Sequence, residues 1–164
     1  MKKVAISQSN YIPWKGYFDN ISQVDKFVLY DDMQYTKRDW RNRNKIKTAN
    51  GLNWLSVPVE VKGKFFQKIN ETKISDTNWN ENHLNSLRHS YSKAKCYKEV
   101  IDFVENLYQT ATQNTISEVN HHFLFNICNF LKIDTEITFS SDYKLLEEGK
   151  TEKLVNLCIQ LNAT

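Results

Sequence analysis

The stretch Val4-Ala5-Ile6-Ser7-Gln8-Ser9-Asn10-Tyr11-Ile12-Pro13-Trp14-Lys15-Gly16-Tyr17-Phe18-Asp19-Asn20-Ile21-Ser22-Gln23-Val24-Asp25-Lys26-Phe27-Val28-Leu29-Tyr30 carries two hydrophobic periods in succession. Val4 and Ile6 alternate as in a strand, which the polar turn Ser7-Gln8-Ser9-Asn10 ends. Pro13 suits the first turn of a helix, where its missing N–H costs nothing. Trp14, Tyr17, Phe18, Ile21 and Val24 then follow one helical face, and Phe27-Val28-Leu29-Tyr30 is an unbroken apolar run suited to a strand buried on both sides. Strand, helix and strand in this order predict a β-α-β unit with parallel strands and a right-handed crossover.

Working outward, Asp31-Asp32 closes the second strand. Asn50-Gly51 is a hairpin turn signal between Lys45-Ile46-Lys47 and the alternating run from Asn53 to Val61, and Pro58 places that run at an edge or a bulge. A short strand is expected around Lys68 to Ile74. The pattern then turns helical: Leu84, Leu87, Tyr91 and Ala94 form one stripe, and Tyr97, Val100, Ile101, Val104, Leu107 and Ala111 a second. Thr115-Ile116-Ser117-Glu118 has the spacing of a capping box ahead of Val119, Phe123, Ile127, Phe130 and Leu131. Ile137 to Phe139 reads as a strand, and Thr151 as the cap of a last helix with Leu154, Val155, Leu157, Cys158 and Leu161 inward. The expected fold is therefore α/β and Rossmann-like: a β-α-β unit and a β-hairpin followed by a mainly helical C-terminal half, all in a single domain over 1–164. A helix in such a fold usually delivers the chain to another strand, so a truncated C-terminus is expected.

Composition narrows the class. The chain has 164 residues, 40% of them hydrophobic and 25% charged, an ordinary globular balance that excludes a disordered chain. No apolar run approaches the roughly 18 residues of a bilayer span, and the one after Lys2-Lys3 is too short for a secretory signal. A cytoplasmic protein without membrane insertion is expected. Cys96, Cys128 and Cys158 are far apart and in apolar surroundings, as for reduced core thiols. His83, His89, His121 and His122 have no ligand spacing, and there is no Walker loop, G-x-G-x-x-G or G-x-S-x-G, so neither metal nor cofactor is expected.

Net charge is only +3, but Lys37, Arg38, Arg41, Arg43, Lys45 and Lys47 stand within eleven residues against the single acid Asp39. With Gln34, Trp40, Asn42 and Asn44 they offer bidentate and point-charge contacts for phosphate and a ring for stacking, as a nucleotide-sugar diphosphate site requires. The same inventory fits single-stranded RNA, although the modest whole-chain charge argues against nucleic acid, or a solvated hairpin arm. The loop from Ser7 to Pro13 leaves the carboxyl end of the first strand for a helix N-terminus, where open α/β sheets bind ligands and anions. Gln8, Tyr11, Gly16 and Tyr17 are its candidate binding residues, with Gly16 admitting a ligand to the backbone; alternatively Gly16 relieves packing and the tyrosines fill the core. Asp31 and Asp32 lie at the same edge; if the strand continues to Asp32, adjacent residues point to opposite faces and only one enters the site directly. A carboxylate there serves as a general base if its pKa is raised, or pairs with Lys37 or Arg38.

Gln8-Ser-Asn-Tyr11-Ile-Pro13-Trp14-Lys-Gly16-Tyr17-Phe18 and the run from Asp25 through Tyr30-Asp31-Asp32-Met-Gln34-Tyr35-Thr-Lys37-Arg38-Asp-Trp40-Arg-Asn42-Arg43-Asn44 to Lys47 resemble the N-terminal signature of the WbqC-like family. Similarity continues more weakly through Trp54 to Pro58 and through Tyr91-Ser-Lys93-Ala94 and Tyr97. Ser9 stands where the family usually has Pro, and family members usually run longer. The resemblance implies a role in cell-surface polysaccharide biosynthesis of the O-antigen kind, with a phosphorylated or nucleotide-linked sugar as partner. It also implies an acyl or aminoacyl transferase activity, glycyl in particular, on an amino sugar. An RNA-binding module and a non-catalytic remnant are the competing readings.

Overall fold

The computed structural model describes residues 2–145 and 149–163. Strand β1 (Val4–Ser7) leads through helix α1 (Lys15–Ser22) to β2 (Lys26–Leu29), and β1 and β2 pair in parallel with Val4 opposite Lys26 and Ser7 opposite Leu29. β3 (Arg43–Thr48) and β4 (Gly51–Ser56) form a separate antiparallel hairpin. Helices α2 (Trp79–Tyr91), α3 (Tyr97–Gln109) and α4 (Ile116–Phe130) follow. β5 (Glu136–Phe139) then joins the other side of β2 in parallel, and α5 (Lys150–Gln160) closes the described chain. The fold is mixed α/β, with a parallel sheet in the order β1-β2-β5.

The apolar run of the second strand explains its central place. Phe27 and Leu29 pack against Tyr17, Phe18 and Ile21 of α1 and Leu124 and Cys128 of α4, while Val28 and Tyr30 meet Leu157 of α5 and Leu161 on the opposite face. Each such buried side chain contributes about 1.5–3 kcal/mol of transfer free energy, offset by the entropy of ordering it. Thr115 caps α4 as its spacing predicts: its hydroxyl accepts from the Glu118 N–H, and the Glu118 carboxylate accepts from the Thr115 N–H.

α1 and α4 lie on one face because both crossovers advance in the same direction across the sheet. α5 lies on the other face because it carries the chain back past β2 to the free edge of β1, where Ala163 bridges Lys2 in parallel. The direction of winding therefore reverses at β1.

Several local expectations are corrected. The helix begins at Lys15, so Pro13 stands just before its N-cap Trp14 and not in its first turn. The strand expected to reach Val61 ends at Ser56, because Pro58 has no N–H for a ladder. In place of a strand from Lys68 to Ile74 there is one short 3-10 turn, Ile69–Glu71, flanked by isolated bridges from Lys68 to Gln34, Lys73 to Thr115 and Ile74 to Val59. Gly149 rather than Thr151 is the N-cap of α5, and Leu154 and Val155 are exposed rather than inward. Cys128 is buried and Cys158 half-buried, but Cys96 is exposed, since it stands in the short α2–α3 connection.

Candidate functional site

The carboxyl end of β1, where the winding reverses, is the crevice at which open parallel sheets bind ligands. The chain leaves β1 as Gln8-Ser9-Asn10-Tyr11 and is fixed from below. β2 stops at Leu29, short of the Asp31-Asp32 pair expected to close it; Asp31, 2% exposed in the turn that follows, accepts from the Ser9 N–H at 2.8 Å and from the Ser117 hydroxyl on α4 at 2.5 Å. Burial, the largest influence, raises the Asp31 pKa against the lowering effect of those donors and of Arg41. Asn120, fully buried, donates to the Ser9 hydroxyl and to the Arg41 carbonyl, both at 2.9 Å, and so ties loop, arm and α4 together.

The basic arm folds over this loop. The Tyr11 N–H donates to the Trp40 carbonyl at 3.0 Å, the Arg41 guanidinium donates to the side-chain oxygens of Gln8 and Asn10, and the Asn44 amide donates to the Ile12 carbonyl. Ile12 has φ 42°, a left-handed conformation that costs a β-branched residue free energy and persists only where its surroundings enforce it. Here the Asn44 bond and the Tyr11–Trp40 bond enforce it, between the cleft-lining residues Tyr11 and Pro13.

Loop and arm enclose a cleft of about 370 Å³ lined by Asn10, Tyr11, Pro13, Trp14, Trp40 and Asn44. Trp14 is 68% exposed and Trp40 48%, large apolar surfaces that a folded chain leaves to water only at a cost. Gly16 lies directly under the Trp14 indole: a Cβ on Gly16 would collide with the ring. Its small size therefore seats Trp14 beside the cleft. Trp40 continues the aromatic surface to Trp54 on β4, with ring centroids 5.4 Å apart. The Arg43 guanidinium lies 3.9 Å from the Trp54 ring centre and the Lys45 ammonium 4.8 Å, both within cation–π range.

Behind the cleft, Tyr11 turns its ring into the core. Its hydroxyl meets Tyr108 Oη at 2.6 Å and His83 Nδ1 at 2.9 Å, and His83 Nε2 meets the Ser56 carbonyl at 3.2 Å. A carbonyl only accepts, so Nε2 carries the proton and Nδ1 accepts from Tyr11, whose oxygen accepts from Tyr108 in turn. Burial pushes His83 down to about 4, keeping it neutral, and pushes the Tyr11 and Tyr108 hydroxyls up.

The structure thus brings Gln8, Tyr11, Gly16, Trp40 and Asn44 to one place. Tyr17 lies beneath, its hydroxyl donating to the Gln8 carbonyl at 2.8 Å. Lys37 and Arg38 occupy the exposed turn of the arm, Arg38 at φ 60°. The other candidates are engaged elsewhere: the Asn42 amide donates to the Val57 carbonyl, Arg43 covers Trp54, and the Gln34 amide donates to the Phe65 carbonyl. Asp32 accepts from the Ser140 hydroxyl and from the Asn70 amide, with the Lys68 ammonium 3.9 Å away; neither aspartate pairs with Lys37 or Arg38. Sequence reasoning gave no site role to Asn10, Trp14, Trp54 or Asn120, and it counted Arg41 among the phosphate contacts, whereas the Arg41 guanidinium is turned to Gln8 and Asn10. Trp14 and Arg41 lie within the motif and the basic run; Asn120, inside an apolar helix, carries no local signal.

The chain belongs to the WbqC-like protein family, whose model matches residues 8–164. It is 54% identical over 164 residues to the uncharacterized protein Rv1507c of Mycobacterium tuberculosis, a match covering 100% of this chain and 71% of that one. No solved structure matches the chain significantly.

Proposed function

We propose that the chain acts in cell-surface polysaccharide biosynthesis of the O-antigen type by binding a nucleotide-linked amino sugar in the Trp14–Trp40 cleft, and that the reaction there transfers an aminoacyl group, glycyl, to the sugar's amine. The observation that carries the reading is the cleft itself, with two exposed indoles and the amides of Asn10 and Asn44 around one opening at the carboxyl end of β1. Indole faces accept the apolar face of a pyranose or a base, amides bond hydroxyls, and Lys37 and Arg38 on the turn of the arm supply the charge a diphosphate needs.

In the transfer, the amine forms a C–N bond to the donor's carbonyl carbon while the bond to the leaving group breaks, and the amine's proton passes to a base. Asp31 is committed to Ser9 and Ser117, so we assign it to positioning the loop. Asp32 is likewise held, by Ser140 and Asn70, and is not among the residues lining the cleft, so we assign the released proton to solvent.

Calorimetric titration with a UDP-linked amino sugar tests the reading. Saturable binding is expected, weakened about tenfold by Trp40→Ala or Lys37→Ala at unchanged melting temperature. Equal affinity in variant and parent overturns the assignment. Binding of a short RNA with a steep salt dependence, and none of the sugar nucleotide, moves the arm to nucleic-acid recognition.

A further inference from the structure

The loop Lys62-Gly63-Lys64-Phe65-Phe66-Gln67-Lys68 has no part in the cleft. Phe65 is 71% and Phe66 83% exposed, and their rings meet edge to face at 5.0 Å. Neither ring belongs to any of the three apolar clusters of the described core. Two tight turns raise them: the Lys64 N–H donates to the Val61 carbonyl, the Gln67 N–H donates to the Lys64 carbonyl, and Gly63 takes φ 73°. The base of the loop is fixed, because the Tyr35 N–H donates to the Gln67 carbonyl at 2.9 Å, the Ile69 N–H to the Met33 carbonyl at 2.9 Å, and the Gln34 amide to the Phe65 carbonyl at 2.8 Å. The segment it pairs with leaves the carboxyl end of β2, so the two rings stand on the same side of the sheet as the Gln8 loop.

Charge identifies the occupant. Lys62, Lys64 and Lys68 are exposed and residues 62–68 contain no acid; Lys64 also pairs with Glu60, and the Lys68 ammonium lies 3.9 Å from Asp32. Protein interfaces are depleted in lysine, favour Trp, Tyr and Arg at their centres, and bury on the order of 1,200–2,000 Å² in total, more than a convex tip with two rings offers. A bilayer surface accepts a convex tip, aromatic rings enter its headgroup boundary, and anionic headgroups attract lysines. We propose that the Phe65–Phe66 loop docks the protein on an anionic lipid surface, with the cleft edge turned toward the membrane. Docking of this kind needs no spanning helix, and none among the described residues is long and apolar enough to be one. The inference does not depend on what the cleft binds.

Co-sedimentation of the full chain with vesicles tests it. Binding to phosphatidylcholine vesicles containing about 30 mol% phosphatidylglycerol is expected to exceed binding to pure phosphatidylcholine about tenfold, because each lysine near an anionic surface adds to the attraction. Phe65→Ser with Phe66→Ser should lose that binding about tenfold with an unchanged melting temperature, since both rings are exposed, and Lys62→Glu with Lys64→Glu should weaken it in the same direction. The proposal is overturned by the absence of vesicle binding. It is equally overturned by full binding in the Phe double variant, which would assign adhesion to the Lys37–Lys47 arm. Loss of a dimer in that variant at unaltered vesicle binding would make the rings a contact between copies and also sink it.

Discussion

The aromatic residues on the two sides of Tyr11 show how one residue type takes opposite roles. Behind it, Trp79, His83, Tyr108 and Phe123 surround the Tyr11 ring, with centroid separations of 5.0–6.3 Å across the cluster, and both tyrosine hydroxyls and both His83 nitrogens are paired. In front, Trp14, Trp40 and Trp54 are 41–68% exposed. The rear group has spent its interactions on folding; the front group holds apolar surface in reserve for a ligand. Tyr11 links them, its ring in the core and its backbone in the strained loop that shapes the cleft.

The sharpest way to break the distinction is from behind. Phe123→Ala removes a fully buried ring that touches Tyr11, Trp79 and Tyr108, and should cost about 3–5 kcal/mol in urea denaturation. If the loss is below about 1 kcal/mol, the cluster is not the rigid support of the loop described above.

Acid probes the same cluster without a change in size. The unfolded chain protonates His83 near the ordinary value of 6.5, whereas the folded chain holds it down to about 4. The unfolded state therefore binds the additional proton between those values. The stabilising effect of a neutral His83 is complete above pH 6.5 and is lost as the pH falls toward 4, a change on the order of 3 kcal/mol. Denaturation curves at pH 7 and pH 4.5 should show a larger loss for the parent than for His83→Gln; parallel losses would place the acid sensitivity elsewhere.

The front group should respond in function and hardly in stability. Gly16→Ala puts a methyl group where the Trp14 indole lies, so the exposed ring must swing away. The melting temperature should move by no more than about 2–4 °C, the equivalent of 1 kcal/mol in a chain of this size, while Trp fluorescence and sugar-nucleotide affinity change. Unchanged fluorescence and affinity would show that Trp14 does not shape the cleft.

Much of the frame was legible because it rests on local pattern. The alternation at Val4 and Ile6, the helical face through Tyr17, Phe18 and Ile21, and the run Phe27 to Tyr30 gave β1, α1 and β2, and Thr115 with Glu118 gave the start of α4. Reading failed where tertiary contacts overrode propensity. The segment from Lys68 to Ile74 has strand-like residues but no neighbouring strand to complete a ladder, so it makes three isolated bridges around a 3-10 turn. His83 had no partner in sequence; Tyr11, seventy-two residues away, supplies one.

The candidate site divides in the same way. The residues at its centre came from the sequence as a cluster of Gln, Tyr, Trp, Arg and Asn within the first forty-four positions, since composition and spacing show which chemistry a segment carries. Which of them face a common opening was decided by packing. Arg41 turned inward to Gln8 and Asn10 because Asn120 holds its carbonyl from α4, while Arg43 went to Trp54 because the hairpin register sets Lys45 opposite Trp54 and puts Arg43 on the same face. Asp31 and Asp32, alike and adjacent in sequence, were separated by the turn that follows β2, which buried one under Ser9 and Ser117 and left the other beside Lys68. The sequence by itself determined the local elements and the chemical inventory, because both depend on neighbours along the chain. The cleft, the neutral histidine behind it and the division between supporting and available aromatic rings were decided only by the tertiary structure, because each depends on groups tens of residues apart meeting away from water.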